Sequence, residues 1–179
     1  MQINKKKDVE IFEDIISLEE QNKLEELLLS DNFPWFYTPD ITFGEESIQK
    51  RPALAHMFII KGELNSSYMY AIEPIIKGIQ VALNYNQVSI LRITSFLQFP
   101  LNLKSKKLDS PHTDTGVKHK ALIYYVTDNE AHTVIFNKGS SIRIKPKKGR
   151  LAVFNGSLLH TAEQPTKNVR CIINFNITN

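Results

Sequence analysis

The spacing of apolar and polar positions changes period once along the chain, near Asn86. Before it, the pattern is mostly helical. Val9 to Ile16 forms a short apolar entry segment, for which an edge strand is one reading. Ser17-Leu18-Glu19-Glu20 has capping-box spacing, in which Ser17 and Glu20 satisfy each other's free backbone N–H groups. Leu24, Leu27 and Leu28 then mark the buried stripe of a helix ending near Asp31. Phe33-Pro34-Trp35-Phe36-Tyr37 is an aromatic cluster at a helix-to-strand passage, read here as packing. From Ser66 to Asn84, Tyr68, Ile72, Ile75, Ile76, Ile79 and Leu83 recur at helical spacing. Pro74 lies inside that pattern, so it either kinks one helix or opens a second at its first turn.

After Asn86 the segments are short and rich in β-branched and aromatic residues. Val88 to Phe99, Ala121 to Thr127, Thr133 to Phe136, Ser141 to Ile144, Leu151 to Phe154 and Arg170 to Ile177 read as strands, punctuated by Gly, Asn, Asp or Pro. So many short strands predict a sandwich or barrel with helices over one face, a mainly β fold with flanking helices (α+β). No repeat, low-complexity stretch or linker divides the chain. The expectation is one domain over 1–179, with 1–86 a helix-rich support and 87–179 the β-core.

Composition narrows the classes. The chain of 179 residues carries a formal net charge of only +3, which gives little reason to expect a nucleic-acid partner. The runs Lys5-Lys6-Lys7, Lys104 to Lys107 and Lys145 to Arg150 read as solvated loops. Met1 to Glu10 is polar and charged, without the apolar core of a secretory signal. No apolar run approaches the roughly 20 residues that cross a bilayer. The single cysteine, Cys171, sits in an apolar stretch and reads as a core residue in a reducing compartment. These features predict a cytoplasmic protein without a membrane partner.

The chemistry concentrates in His112-Thr113-Asp114, with His160 far downstream and Arg170 ten residues beyond it. Residues two apart on an extended segment share a face, so His112 and Asp114 can reach one ion. Asp109-Ser110-Pro111 reads as the turn leading into the pair, and Asn155-Gly156-Ser157 as a turn that brings His160 back beside it. Two imidazoles and one carboxylate supply three faces of an Fe(II) ion and leave three positions open. The arginine fork suits the carboxylate of a substrate or cosubstrate. All-cysteine and multi-histidine zinc patterns are absent.

His112-Thr113-Asp114, Leu122-Ile123-Tyr124-Tyr125-Val126, Thr133-Val134-Ile135-Phe136, Pro146 to Arg150, Phe154 and His160 through Arg170 to Asn174 together resemble the Fe(II)/2-oxoglutarate-dependent oxygenases. The likeness is to the prolyl-4-hydroxylase-like branch, including its small phage-borne members, and covers nearly the whole chain. It implies a double-stranded β-helix, or jelly roll. It also implies His112, Asp114 and His160 as iron ligands, and Arg170 as the partner of the distal carboxylate of 2-oxoglutarate. Tyr125 matches a tyrosine that hydrogen-bonds the same carboxylate, and Asn174 shares the face of Arg170 and is a further candidate for the cosubstrate pocket. The implied cofactors are Fe(II), 2-oxoglutarate and O2, with ascorbate supportive. The implied reaction is hydroxylation of an unactivated C–H bond, with a peptidyl proline as the family-level substrate in the host cytoplasm of a phage. Asp128-Asn129-Glu130-Ala131-His132 departs from the glycine-containing turn common before the Thr-x-x-Phe strand.

Alternation sends Tyr124 to the opposite face from Tyr125, into packing. His119 belongs to the active-site mouth or to packing, His132 to the solvent, and His56 to the core. Arg92, flanked by apolar residues, needs a partner: an acidic side chain is preferred over substrate. Two other functions stay open. A nucleic-acid dealkylating oxygenase typically carries a second arginine six residues after the first, where this chain has Asn176. A non-catalytic protein that binds metal and 2-oxoglutarate would keep the same ligands.

Overall fold

The computed structural model describes residues 3–6, 8–41, 50–101 and 108–178. In chain order its elements are β1 (Ile3–Lys6), β2 (Val9–Phe12), α1 (Leu18–Leu28), β3 (Phe36–Thr38), β4 (Ala53–Ile60) and β5 (Glu63–Leu64). A 3-10 turn (Ser67–Ala71) and α2 (Glu73–Leu83) follow, then β6 (Ser89–Gln98), β7 (Lys120–Tyr125), β8 (Thr133–Asn137), β9 (Ser140–Ile144), β10 (Leu151–Asn155), β11 (His160–Ala162) and β12 (Arg170–Thr178). One sheet runs β1-β2-β10-β7-β12-β6-β4-β3 with β5 on β4, and a second runs β11-β8-β9. The pairings are antiparallel.

Strand alternation divides the interior in two. Leu122 and Tyr124 of β7 and Cys171, Ile173, Phe175 and Ile177 of β12 face the helices, where they pack with Leu24, Leu28, Ile75 and Ile79. Ala121, Ile123 and Tyr125 of β7 and Ile172 of β12 face inward, with Ile135 of β8 and Ile144 of β9 in the same cluster. This is the jelly roll: two sheets with an enclosed face and helices on the outside of the larger one. Each fully buried Leu, Ile or Phe contributes about 1.5–3 kcal/mol, so both layers matter to stability.

The helices form as the sequence predicts. Glu20 N donates to Ser17 Oγ at 3.3 Å and Ser17 N to the Glu20 carboxylate at 3.0 Å, completing the capping box. Pro74 lies in the first turn of α2, so it opens a second helix, which ends at Asn84 in the left-handed conformation (φ 55°). Gly78 lets α2 press on the chain before α1: a Cβ there would stand 2.5 Å from the Ile15 carbonyl oxygen.

The first half differs from its mostly helical expectation. Besides the two helices it contributes β1 to β5, all part of the larger sheet. β4 was hidden because Ala53 to Ile60 is a continuous apolar run, largely buried on both faces and bulged between Met57 and Ile59. The Val9 segment is not an edge strand, since β2 pairs with both β1 and β10. Of the lysine runs, Lys104 to Lys107 and Lys7 lie outside the described residues, while Lys5 and Lys6 end β1. The Lys145 to Arg150 segment is tied down rather than free: Arg150 and Lys147 pair with Glu13, and Lys148 with Glu25 of α1. No helix among the described residues is long and apolar enough to cross a membrane.

Candidate metal and anion site

A cavity of about 350 Å³ opens between the sheets where the inward face of β12 turns from apolar to polar. His112 and His160 meet there as an isolated bridge: His112 N donates to His160 O at 3.0 Å and His160 N to His112 O at 2.9 Å. The chain from Leu108 to His112 thus lies antiparallel to β11 through isolated bridges at Leu108 and His112, with Asp109 N donating to Ala162 O at 2.9 Å. Asp114 is brought to the same point, its Oδ2 lying 3.7 Å from His160 Nε2. The ligand atoms of His112, Asp114 and His160 all lie within 4.8 Å of one another.

Both imidazoles are oriented by the same device. His112 Nδ1 donates to the Ser110 carbonyl and His160 Nδ1 to the Leu158 carbonyl, each at 3.1 Å. A carbonyl only accepts, so Nδ1 carries the proton and the Nε2 lone pair is left for a metal. Burial pushes the His160 imidazole below its ordinary pKa despite the opposing pull of Asp114, which favours the neutral, ligating form.

Asp114 is heavily hydrogen-bonded. Oδ1 accepts from Arg92 at 2.8 Å and Asn174 at 3.1 Å, and Oδ2 accepts from Asn174 at 3.2 Å and Asn176 at 2.8 Å. Burial raises its pKa, but the electrostatic pull of the His160 ring, the Arg92 guanidinium and the two amides outweighs that and holds the carboxyl below its ordinary value. The partner sought for Arg92 is therefore acidic, and it is the candidate ligand itself. Asn174 lines the cavity, and its Oδ1 is buried with no hydrogen-bond partner among the described residues.

Arg170 lies in the same cavity, 2% exposed. It donates to Gln98 Oε1 at 2.7 Å and to Thr133 Oγ1 at 2.9 Å. Neither partner is an anion. Its Nε and the Gln98 Nε2 are buried donors without partners among the described residues. Burial lowers the Arg170 pKa, with Tyr125 and Asp109 opposing, yet a guanidinium stays charged in a protein. The nearby Asp109 is engaged elsewhere, by Arg51 Nε at 2.9 Å and Gln164 Nε2 at 2.6 Å. Burial nonetheless pushes the Asp109 pKa up.

Tyr125 is placed one step back from the cavity. It is fully buried and donates to Thr133 Oγ1 at 2.8 Å, and Thr133, not Tyr125, lines the cavity. With Tyr125 and Arg170 both donating, the two acceptor positions of Thr133 are filled and its own O–H remains to donate. Tyr124 packs under the helices, as alternation predicts.

The remaining histidines separate. His56 is buried, with its ring nitrogens on Pro34 O and Ser66 Oγ, amid Phe33, Phe58 and Tyr68. His119 is a packing residue: it does not line the cavity, and a Cβ on Gly156 would stand 2.1 Å from its Nε2. His132 is not simply solvent-exposed; it is half-buried and its Nδ1 sits 2.8 Å from Glu163. The loop Asp128 to His132 is strapped to the approach to β12, Asn129 donating to Asn168 O at 2.8 Å and Glu130 accepting from Thr166 N and Lys167 N at 2.6 and 2.8 Å.

Sequence reasoning missed Gln98, Asp109, Gln164 and Asn176. Asn176 was noticed only for what it is not. The signal for it was alternation: it lies two residues from Asn174 on the inward face of β12.

No protein-family profile and no curated protein matches the sequence. Solved structures do match in fold. A 2OG-Fe(II) oxygenase family oxidoreductase from Burkholderia pseudomallei aligns with TM-score 0.74 at 10% identity, over 96% of this chain and 85% of that one. The viral collagen prolyl hydroxylase of Paramecium bursaria Chlorella virus-1, solved with 2OG, aligns with TM-score 0.63 at 16% identity, over 96% of both chains. A prolyl hydroxylase from Trichoplax adhaerens, in complex with a hypoxia-inducible factor oxygen-degradation-domain peptide, aligns with TM-score 0.67 at 12% identity, over 95% and 83%. The chain therefore has the jelly-roll fold found in 2OG-Fe(II) oxygenases.

Proposed function

We propose that the protein is an Fe(II)- and 2-oxoglutarate-dependent oxygenase that hydroxylates an unactivated C–H bond of a peptide. The observation that carries this reading is one cavity with two complementary ends. At one end, three ligand atoms converge with both Nε2 lone pairs free; at the other, a buried arginine has no anionic hydrogen-bond partner among the described residues. A buried cation without a counter-ion is costly, so the Arg170 end is chemically suited to a carboxylate supplied by a ligand. The donor set of two imidazoles and a carboxylate fits Fe(II) and leaves positions for small molecules.

His112, Asp114 and His160 would hold the iron. When bound, iron with 2-oxoglutarate and O2 supplies the oxidising chemistry, and succinate and CO2 are the by-products. The residues of the chain bind and orient. Arg170, the Thr133 hydroxyl and Gln98 Nε2 present donors to the distal carboxylate of the cosubstrate, and Tyr125 holds Thr133 in that orientation. Phe96, Ile123 and Ile172 line the cavity and give it an apolar wall. The peptide assignment rests on the substrates of the fold neighbours, a collagen prolyl hydroxylase and a prolyl hydroxylase with its peptide. Nucleic-acid dealkylation is not favoured, because Asn176 is committed to Asp114.

The test has two stages. 2-Oxoglutarate titrated into Mn(II)-loaded protein should bind with heat release, and proline-containing peptides incubated with Fe(II), 2-oxoglutarate and ascorbate should gain one oxygen as succinate forms. Absence of 2-oxoglutarate binding to metal-loaded protein would sink the cosubstrate assignment. Binding without succinate formation over a broad peptide panel would favour the non-catalytic alternative.

A further inference from the structure

We infer that Arg92 and Asn176 are positioning residues that hold the Asp114 carboxylate in one orientation for the metal, an inference that rests on the metal reading above. Arg92 and Asn176 are directly paired residues across β6 and β12, just before the register shift that follows Asn176. Their side chains and that of Asp114 close a ring of hydrogen bonds. Arg92 Nε donates to Asn176 Oδ1 at 2.9 Å, Asn176 Nδ2 donates to Asp114 Oδ2 at 2.8 Å, and Arg92 NH2 donates to Asp114 Oδ1 at 2.8 Å.

The ring leaves little freedom. Arg92 has only donors, so the Asn176 oxygen must face it and the amide nitrogen must face Asp114. Each carboxylate oxygen of Asp114 then carries one short bond from a different strand, which fixes both the rotation and the tilt of the group. Asn174 adds longer bonds to both oxygens, at 3.1 and 3.2 Å, from one side. The Asp114 side chain is 4% exposed and that of Arg92 33%, so the clamp is sheltered where it grips and wet where it ends. Asp114 follows a segment held to β11 only as far as the His112 bridge, so its side chain depends on these distant strands for its orientation. Partners of this kind around a metal ligand typically change metal affinity by about 10–100-fold when removed.

The experiment is an anaerobic titration of Co(II) alone into the full-length, metal-free protein, followed by its visible d–d absorption, with no 2-oxoglutarate present. Arg92→Met and Asn176→Leu should each weaken Co(II) binding by about 10–100-fold and change the band shape. Because both break the same ring, the double variant should be weaker than either single by far less than the product of their effects. Arg92→Lys, which keeps the charge but loses the fork, should fall between wild type and Arg92→Met; it decides the matter if Arg92→Met does not fold. Variants with wild-type near-ultraviolet circular dichroism that bind Co(II) within about twofold of wild type, with the same band, would overturn the inference and leave the metal reading intact. A wild-type protein that binds no Co(II) would instead overturn the metal reading, and this inference with it.

Discussion

The two ends of the cavity treat charge in opposite ways. At the metal end, the anion Asp114 receives four hydrogen bonds from Arg92, Asn174 and Asn176. At the far end, the cation Arg170 is buried against the neutral Gln98 and Thr133, with Nε left over. The first end is satisfied by the chain's own side chains; on the reading proposed above, the second is completed by a ligand carboxylate. A protein can hold a metal ligand ready at modest cost, because surrounding dipoles and a guanidinium solvate it. An anion site that must release its ligand every cycle cannot be filled by the chain's own carboxylate. The nearby Asp109 is accordingly occupied by Arg51 and Gln164.

The largest expected effect is at the metal end. Asp114→Ala should abolish Co(II) and Fe(II) binding and all succinate formation, since two imidazoles alone leave an open, weak site. Full activity from this variant would break the comparison outright, because the well-solvated anion would then have no task.

Next in size is Arg170→Met, and it should act in opposite directions with and without ligand. Losing one partner of a buried charge pair costs about 3–5 kcal/mol, so the 2-oxoglutarate requirement should rise by about two to nearly four orders of magnitude. The ligand-free protein, relieved of an unpaired buried cation, should melt no lower than wild type. A marked drop in the ligand-free melting temperature would mean that Arg170 is a structural residue, and the contrast between the two ends would fail.

At both ends the candidate residues were more legible than their supports. His112, Asp114, His160 and Arg170 stand out because few residue types suit metal or carboxylate binding, and alternation placed Asn174 on the face that lines the cavity. The clamp on Asp114 was harder to see, since it joins Arg92 to Asn176 across a distance of 84 positions and depends on strand register. Alternation gave the faces of β7 and β12, whereas β4, apolar on both faces, carried no period to read. His132 was misjudged for a similar reason, as its partner Glu163 comes from the far side of β11.

Thr133→Val tests the floor of the cavity with a smaller perturbation. Valine matches the shape but removes the acceptor shared by Tyr125 and Arg170, leaving two buried donors unmet. That should cost about 1–3 kcal/mol for each stranded donor in thermal or urea unfolding, with a rise in the 2-oxoglutarate requirement. If Thr133→Val leaves that requirement unchanged, the hydroxyl does not face the ligand.

Tyr125→Phe should have the smallest effect, and it discriminates most sharply. If Tyr125 contacted the cosubstrate carboxylate itself, losing its hydroxyl would remove a bond to a charged group, worth about 1.5–3 kcal/mol of 2-oxoglutarate affinity. In the structure its hydroxyl donates to Thr133 Oγ1, and on the proposed reading it acts on the ligand through that residue. Phenylalanine would leave Arg170 on Thr133 and free one acceptor position of that hydroxyl, with no charged partner stranded. The loss should then be nearer that of an ordinary neutral hydrogen bond, about 0.5–1.5 kcal/mol, and part of it should fall on protein stability rather than on affinity. Burial pushes the Tyr125 pKa up, so the phenol remains a protonated donor and the measurement is insensitive to mildly alkaline pH. A 2-oxoglutarate requirement raised as far as in Arg170→Met, with unchanged stability, would put Tyr125 in direct contact with the ligand and make Thr133 a bystander.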